Sequence, residues 1–217
     1  MRPPIFAALL AAASALAVPA AAKQGDVLVR LRAVMVSPNE SSGPVLPAFP
    51  GATVGVSDSF APEIDFTYMA TDHIGIELIA ATTKHNISGR GTLAGVGKLA
   101  TTWVLPPTLT LQYHFLPEGK VHPYVGAGIN YSIFYSEGAS DALETAVGPT
   151  NVSLKSSFGY ALQAGMDFDL NEKLFLNIDV KYIDMTSRAT LTSGALVNGV
   201  DVKINPLVVG VGVGMRF

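Results

Sequence analysis

The sequence predicts an all-β fold: an eight-stranded antiparallel transmembrane β-barrel with short periplasmic turns and long extracellular loops. Apolar residues alternate with small or polar residues in eight segments, which is the period of a β-strand. Charged residues are only 14% of the chain and the mean hydropathy is +0.37, whereas globular proteins average roughly 25% charged residues. Beyond the amino terminus no apolar run is long enough for a spanning helix, so a closed barrel is the remaining way to pair backbone groups in lipid.

The amino terminus has the pattern of a secretory signal peptide. Arg2 precedes an Ala- and Leu-rich apolar run, and Ala20 and Ala22 fit the small-x-small cleavage rule. A membrane anchor helix is the alternative, but the run is short and is broken by Pro19. We therefore predict a signal peptide at residues 1–22, cleavage after Ala22, and a barrel domain at residues 23–217.

The first four predicted strands cover residues 26–36, 60–70, 74–81 and 102–115. Each has one apolar face, and the opposite face carries polar or small residues such as Arg30, Arg32 and Asp65. Pro106 and Pro107 fall inside the fourth segment, where proline lacks the N–H of a strand ladder. The pair predicts either a simple strand start or a break that opens the lumen sideways to lipid. The apolar faces are Val27, Val29, Leu31, Ala33 and Met35; Ile64, Phe66 and Tyr68; Ile74, Ile76, Leu78 and Ala80; and Leu109, Leu111, Tyr113 and Phe115.

The last four predicted strands cover residues 122–135, 157–169, 174–185 and 202–217. The final strand alternates valine with glycine and ends on Phe217, so we expect it to pair with the first strand and close the barrel. Gaps after the second, fourth and sixth strands are short (71–73, 116–121 and 170–173), whereas the others are long and rich in Gly, Ser, Pro, Asn and Thr. Short turns at one rim and long loops at the other are typical of outer-membrane barrels.

Alternation alone does not say which face meets lipid. Glycines and charges of both signs share the thin face, and such residues suit the crowded interior of a narrow barrel but not a lipid surface. We therefore predict that the apolar face is outside. Lys181 points inward and is expected to pair with Glu77 or Asp179, because a buried charge needs a partner. The predicted lumen-lining residues are Ile79, Glu77, Lys181, Asn177, Asp179, Gln112 and Arg30.

Composition argues against several classes of function. The net charge is -3 with no basic block, so nucleic-acid binding has no electrostatic support. Cysteine is absent and the four histidines lack metal-ligand spacing, which disfavours thiolate chemistry and a metal site. No nucleophile and base form a recognisable pair. We predict no enzyme activity and no cofactor.

Six segments carry recognisable motifs along the chain: Phe66–Asp72 (FTYMATD), Ile74–Ala81 (IGIELIAA), Leu105–Thr110 (LPPTLT), Pro123–Tyr131 (PYVGAGINY), Tyr182–Asp184 (YID) and Gly214–Phe217 (GMRF). Together they resemble the outer membrane protein W (OmpW) family, which carries them in the same order. The resemblance implies an eight-stranded barrel in the outer membrane of a Gram-negative bacterium, with a narrow channel for small hydrophobic molecules. It also implies that Phe217 is the aromatic end recognised by the barrel-assembly machinery.

The expected function is passive passage of small apolar solutes, with outer-membrane lipid and the assembly machinery as further partners. Two alternatives stay open at this point. One is a non-conducting surface barrel, filled by its inward charges, whose loops bind a host, a phage or a toxin. The other is a periplasmic lipocalin-like carrier with its apolar face inward.

Overall fold

The computed structural model describes residues 22–217, and strands dominate it. The predicted signal peptide, residues 1–22, lies outside the described residues apart from Ala22. A 3-10 helix, Ala94–Val96, and a short helix α1, Asp141–Val147, interrupt the strands. The strands are β1 Val27–Ser37, β2 Ser41–Ser42, β3 Ala52–Val56, β4 Ser59–Met69, β5 Ile74–Ala81, β6 Thr83–Gly91, β7 Lys98–Leu105, β8 Thr108–His114, β9 Val121–Ala139, β10 Thr150–Leu154, β11 Ser157–Asp169, β12 Leu174–Ile183, β13 Thr186–Ser193, β14 Leu196–Lys203 and β15 Leu207–Arg216.

Eight of these strands form a closed antiparallel barrel. Its order is β1-β4-β5-β8-β9-β11-β12-β15, and β15 pairs back onto β1. In that closing pair Val29 lies opposite Met215 and Leu31 lies opposite Val213. The predicted eight-stranded barrel and the pairing of its first and last strands are therefore confirmed.

The apolar faces of the barrel strands point outward, as predicted. Leu111 is 57% exposed and Val211 is 55% exposed, whereas Arg30 and Gln112 are fully buried inside. Such an exposed apolar belt around a polar interior is the arrangement of a barrel in lipid. Within residues 22–217 no helix has the length and apolar character needed to cross a bilayer.

The long connections are not irregular loops, as the sequence suggested, but a second tier of strands. β9 continues past the barrel and pairs with β7, followed by β6 and β3, while β10, β13, β14 and β2 form a separate sheet. In β6 the polar Lys84 and Asn86 face out and Ile87 faces in. This is the pattern of a soluble barrel, so the extension stands above the bilayer on the extracellular side.

Two predicted strands are wrong as continuous elements. The segment 102–115 is split at Pro106–Pro107 into β7 and β8, and the segment 202–217 is split between Lys203 and Leu207 into β14 and β15. Each split occurs at a proline, because proline cannot donate to a ladder. The predicted strand 122–135 continues to Ala139 as part of β9.

An ionic floor beneath an apolar chamber

All seven sequence-predicted lumen residues lie inside the barrel. Six of them are polar and stand on the inward faces of β1, β5, β8 and β12, and the seventh, Ile79, stands higher on β5. None of the seven is more than 3% exposed. The charged members join a larger group that we call the ionic floor: Arg30, Arg32, Glu63, Asp65, Glu77, Asp167, Asp179 and Lys181.

Arg30 on β1 ties together three barrel strands at the lower level of the floor. Its guanidinium donates to both carboxylate oxygens of Asp167, at 3.2 Å from Nε and 2.7 Å from Nη2. Nη1 donates to Asp65 at 3.0 Å and to the hydroxyl of Thr67 at 2.8 Å. The guanidinium also lies 5.3 Å from the ring centre of Tyr124. The planar fork of arginine suits this bidentate role.

Arg32, two residues further along β1, serves the next level. Its Nη2 lies 2.6 Å from Asp65 and 3.3 Å from Glu77, and its Nε lies 2.9 Å from Glu63. Asp179 on β12 lies 3.6 Å from Nη1. Arg32 thus bridges β4, β5 and β12 across the lumen, and Asp65 is shared with Arg30.

Lys181 forms the top of the ionic floor. Its Nζ lies 3.5 Å from Glu63 Oε2 and 3.6 Å from Asp179 Oδ1. The predicted partner Asp179 is confirmed, whereas the other predicted partner, Glu77, lies within ion-pair distance of both arginines instead. The Lys181 ammonium makes no hydrogen bond with any described residue.

Neutral polar side chains complete the floor. Tyr124 donates to Asp179 at 2.9 Å, and Gln163 donates to the same oxygen at 2.8 Å. Asn177 donates to Asp167 at 2.7 Å and to the Tyr124 hydroxyl at 3.0 Å. Since no charged member of the floor is more than 4% exposed, these side chains fill the lumen at this level.

Directly above Lys181 the interior becomes apolar. A small cavity of about 60 Å³, which we call the lower chamber, has Lys181 and Glu63 at its base. Ile79 and Val208 line its wall close to that base, and Phe134 belongs to the same wall. The remaining apolar lining consists of Val34, Val36, Val56, Ala81, Ile87, Val104, Leu154, Ile183, Met185, Ile204 and three prolines, Pro38, Pro106 and Pro206.

A second cavity of about 50 Å³, the upper chamber, lies within the extracellular extension. Its wall includes Leu93, Leu99 and Leu143, the last carried by α1. Ser140 caps this helix by accepting a hydrogen bond from the Leu143 amide at 3.1 Å, which fixes the leucine over the cavity. The two chambers share four wall residues: Val56, Ile87, Leu154 and Ile204.

The wall of the lower chamber is interrupted at Pro106 and Pro107. On one side Asn130 of β9 donates to both proline carbonyls, at 3.2 and 3.3 Å, and closes the ladder. On the other side the strand pairing stops at Ile79 with Thr108 and resumes at Thr83 with Val104. The break therefore faces the β5–β6 junction, beside the lower chamber.

The sequence predicted part of this site. Arg32, Glu63 and Asp65 were placed on the inward faces of their strands but were not among the predicted lumen-lining residues. The chambers were not predicted because β3, β6, β10 and β13 fall in segments that were assigned to loops, although Val54 and Val56 alternate visibly there. The available signal for these strands was the alternation of apolar residues at every second position. The alternating runs are short and lie between glycines and serines, which made the signal weak.

The outward apolar belt, the filled polar lumen and the extension on one side together define a small outer-membrane β-barrel protein. The chain belongs to the OmpW family, whose model matches residues 23–217. It is therefore an outer-membrane protein, and the predicted resemblance and location are confirmed.

Individual relatives agree with this assignment. Outer membrane protein W of Escherichia coli is 38% identical over 195 residues, which cover 89% of each chain. The crystal structure of outer membrane protein OprG from Pseudomonas aeruginosa superposes with a TM-score of 0.85 at 32% identity, covering 91% of this chain and 98% of OprG. The dibenzothiophene metabolism operon protein PahQ of Pseudomonas aeruginosa is 30% identical over 172 residues, covering 77% of this chain and 76% of PahQ.

Proposed function

We propose that this protein takes small apolar molecules from outside the cell into its two chambers and releases them sideways into the outer membrane. The main support is the abrupt change in the polarity of the interior at Lys181, where the apolar chambers meet the filled ionic floor. Transfer of an apolar solute from water into the chambers is favourable. The ionic floor gives such a solute neither space nor apolar contacts. No catalytic chemistry or cofactor is involved.

The break at Pro106 and Pro107 supports the sideways exit. It lies beside the lower chamber, and the neighbouring outward residues Leu105 and Leu109 belong to the exposed apolar surface. A solute leaving there passes from one apolar environment to another. Kinship with PahQ, a protein named for a dibenzothiophene metabolism operon, supports an apolar solute class.

Filling the lower chamber tests the proposal. Val208 and Val209 are neighbours on β15, but Val208 lines the chamber and Val209 faces outward. The assay follows the uptake of a fluorescent apolar probe into liposomes that contain the protein. Val208→Phe is expected to reduce this uptake strongly, and Val209→Phe is expected to leave it unchanged. Heat-modifiable gel migration serves as the folding control. Equal uptake by both folded variants and the native protein would overturn the proposal.

A second candidate is a surface barrel that transports nothing. The filled ionic floor favours it, because such a barrel needs only a rigid base for the extracellular extension. In that case binding to a host cell, a phage or a toxin depends on the extension. Shortening the β13–β14 hairpin would then abolish binding, and Val208→Phe would have no effect on any transport assay.

A further inference from the structure

Lys181 places an ammonium group with free donors at the base of an apolar cavity. It is 1% exposed and lines the lower chamber, yet its Nζ has no hydrogen-bond acceptor among residues 22–217. An ammonium carries three donors. The carboxylates of Glu63 and Asp179 lie at 3.5 and 3.6 Å, where they attract the charge but do not accept its protons.

The Thr108 hydroxyl and the His85 imidazole, which also line the chamber, already make hydrogen bonds within the protein. Thr108 donates to the carbonyl of Pro106 at 2.9 Å and accepts from Asn130 at 2.8 Å. His85 lies 2.7 Å from the carbonyl of Ser57 and 2.9 Å from the Thr83 hydroxyl. Lys181 is thus the donor in this cavity with hydrogen-bonding capacity left for a ligand, because the neighbouring carboxylate of Glu63 can only accept.

We propose that the lower chamber selects amphipathic solutes: a short apolar chain that ends in one neutral acceptor oxygen, as in a ketone, an ester or an alcohol. The chain packs against Ile79 and Val208, and the oxygen accepts a hydrogen bond from Lys181 Nζ. This inference rests on the proposed function and narrows its solute class.

The charge of the ionic floor selects a neutral oxygen over a carboxylate. The floor holds five carboxylates (Glu63, Asp65, Glu77, Asp167 and Asp179) and three cations (Arg30, Arg32 and Lys181), so its formal charge is already negative. A carboxylate ligand would add to this excess and would lose its hydration in an apolar cavity. A carbonyl or hydroxyl gains the hydrogen bond without either cost.

The test uses the full barrel in lipid nanodiscs. Isotope-labelled lysine side chains and isotope-labelled isoleucine methyl groups are observed by NMR. Three probes of equal chain length are compared: hexane, butyl methyl ketone and hexanoate. The ketone is expected to shift both the Ile79 methyl signal and the Lys181 signal, and to bind at least about tenfold more tightly than hexane, as suits a hydrogen bond to a charged donor. Hexanoate is expected to bind more weakly than the ketone.

Two variants separate the ammonium from the cavity. Lys181→Met keeps an unbranched side chain of similar length and removes the donors, so the ketone should lose its advantage over hexane. Lys181→Arg restores donors and charge, and should restore that advantage. The labelled native protein decides the matter by itself if Lys181→Met does not fold.

The outcomes also distinguish this proposal from the one on which it rests. Shifts of the Ile79 methyl by all three probes, with equal affinities and a silent Lys181 signal, would overturn the amphiphile proposal and leave apolar transport standing. Tighter binding of hexanoate than of the ketone would overturn it too. If no probe reached Ile79, the proposed function itself would fail.

Discussion

At the scale of single residues, two inward glycines make room for aromatic rings inside the barrel. A Cβ at Gly165 would lie 2.3 Å from the Tyr124 ring, and one at Gly214 would lie 2.2 Å from the Phe175 ring. Tyr124 uses the space to donate to Asp179. These glycines are therefore required by close packing in a narrow lumen.

Substitution at Gly165 should disturb the ionic floor. Gly165→Val forces the Tyr124 ring away and breaks its hydrogen bond to Asp179, which should cost about 1–3 kcal/mol of stability, as overpacking commonly does. Ala164→Val is the matched control, because Ala164 faces outward on the same strand. Urea unfolding in lipid, followed by tryptophan fluorescence of Trp103, measures the difference. Equal stabilities would contradict the packing argument.

At the scale of elements, β6 shows how a strand contributes to the extension. Its inward side chain His85 is buried between the Ser57 carbonyl and the Thr83 hydroxyl. Burial lowers the pKa of His85 below its usual value of 6.5, and the carbonyl of Ser57 opposes that effect. The folded extension therefore holds His85 neutral at physiological pH.

This predicts that the extension loosens in acid. Because the folded pKa of His85 lies below the unfolded value, its contribution to stability is complete above about pH 6.5 and is lost as the pH falls through the folded pKa. Hydrogen exchange should show reduced protection of β6 and β7 amides at pH 5, but not of β1. His85→Gln removes the titrating group, so its protection should depend less on pH. An unchanged dependence in this variant would assign the effect elsewhere.

The last strand supports a separate prediction about assembly. Phe217 pairs with Val27 through two backbone hydrogen bonds of 3.0 Å, and its ring is 69% exposed. The ring thus adds little to packing and is available for recognition. Deleting Phe217 should lower the amount of protein in the outer membrane several-fold, whereas Phe217→Tyr should not. Membrane fractionation measures both, and normal levels of the deletion variant would refute a role in assembly.

At the scale of the whole molecule, the membrane barrel carries a second tier of strands with the opposite polarity. The membrane barrel has a polar inside and an apolar outside, and the extension has the reverse. The interior changes from polar to apolar at the level where the outer surface changes from apolar to polar. The reason is that the outer surface faces lipid in the barrel and water in the extension. The chambers and the ionic floor meet at that level.

The filled floor predicts an electrically silent barrel. Because Arg30, Arg32 and Lys181 are paired with five buried carboxylates, we expect no continuous water path for ions through the lumen. Planar-bilayer recordings of the purified protein should show no stable conductance steps at neutral pH, even where the liposome assay detects uptake of an apolar probe. Reproducible steps that scale with salt concentration would show that the floor opens.

Alternation along the chain was sufficient to predict the barrel, its eight strands, its outward face and the closing pair of strands. Each of these depends on a local period of two and on a low content of charged residues. Both properties can be read directly from the sequence. The inward burial of Arg30, Glu77, Asp179 and Lys181 followed for the same reason. So did the location, since an apolar outer surface requires lipid.

Only the tertiary structure decided which groups meet across the lumen. Glu63, rather than Glu77, lies beside Lys181 because pairing partners depend on strand tilt and stagger, which alternation does not encode. The chambers likewise arise from short strands whose apolar faces converge only once the extension is assembled. The sequence by itself thus determined which strand faces meet lipid and which meet the lumen, because this depends on local alternation. The closed barrel determined the site, because the site depends on contacts between distant strands.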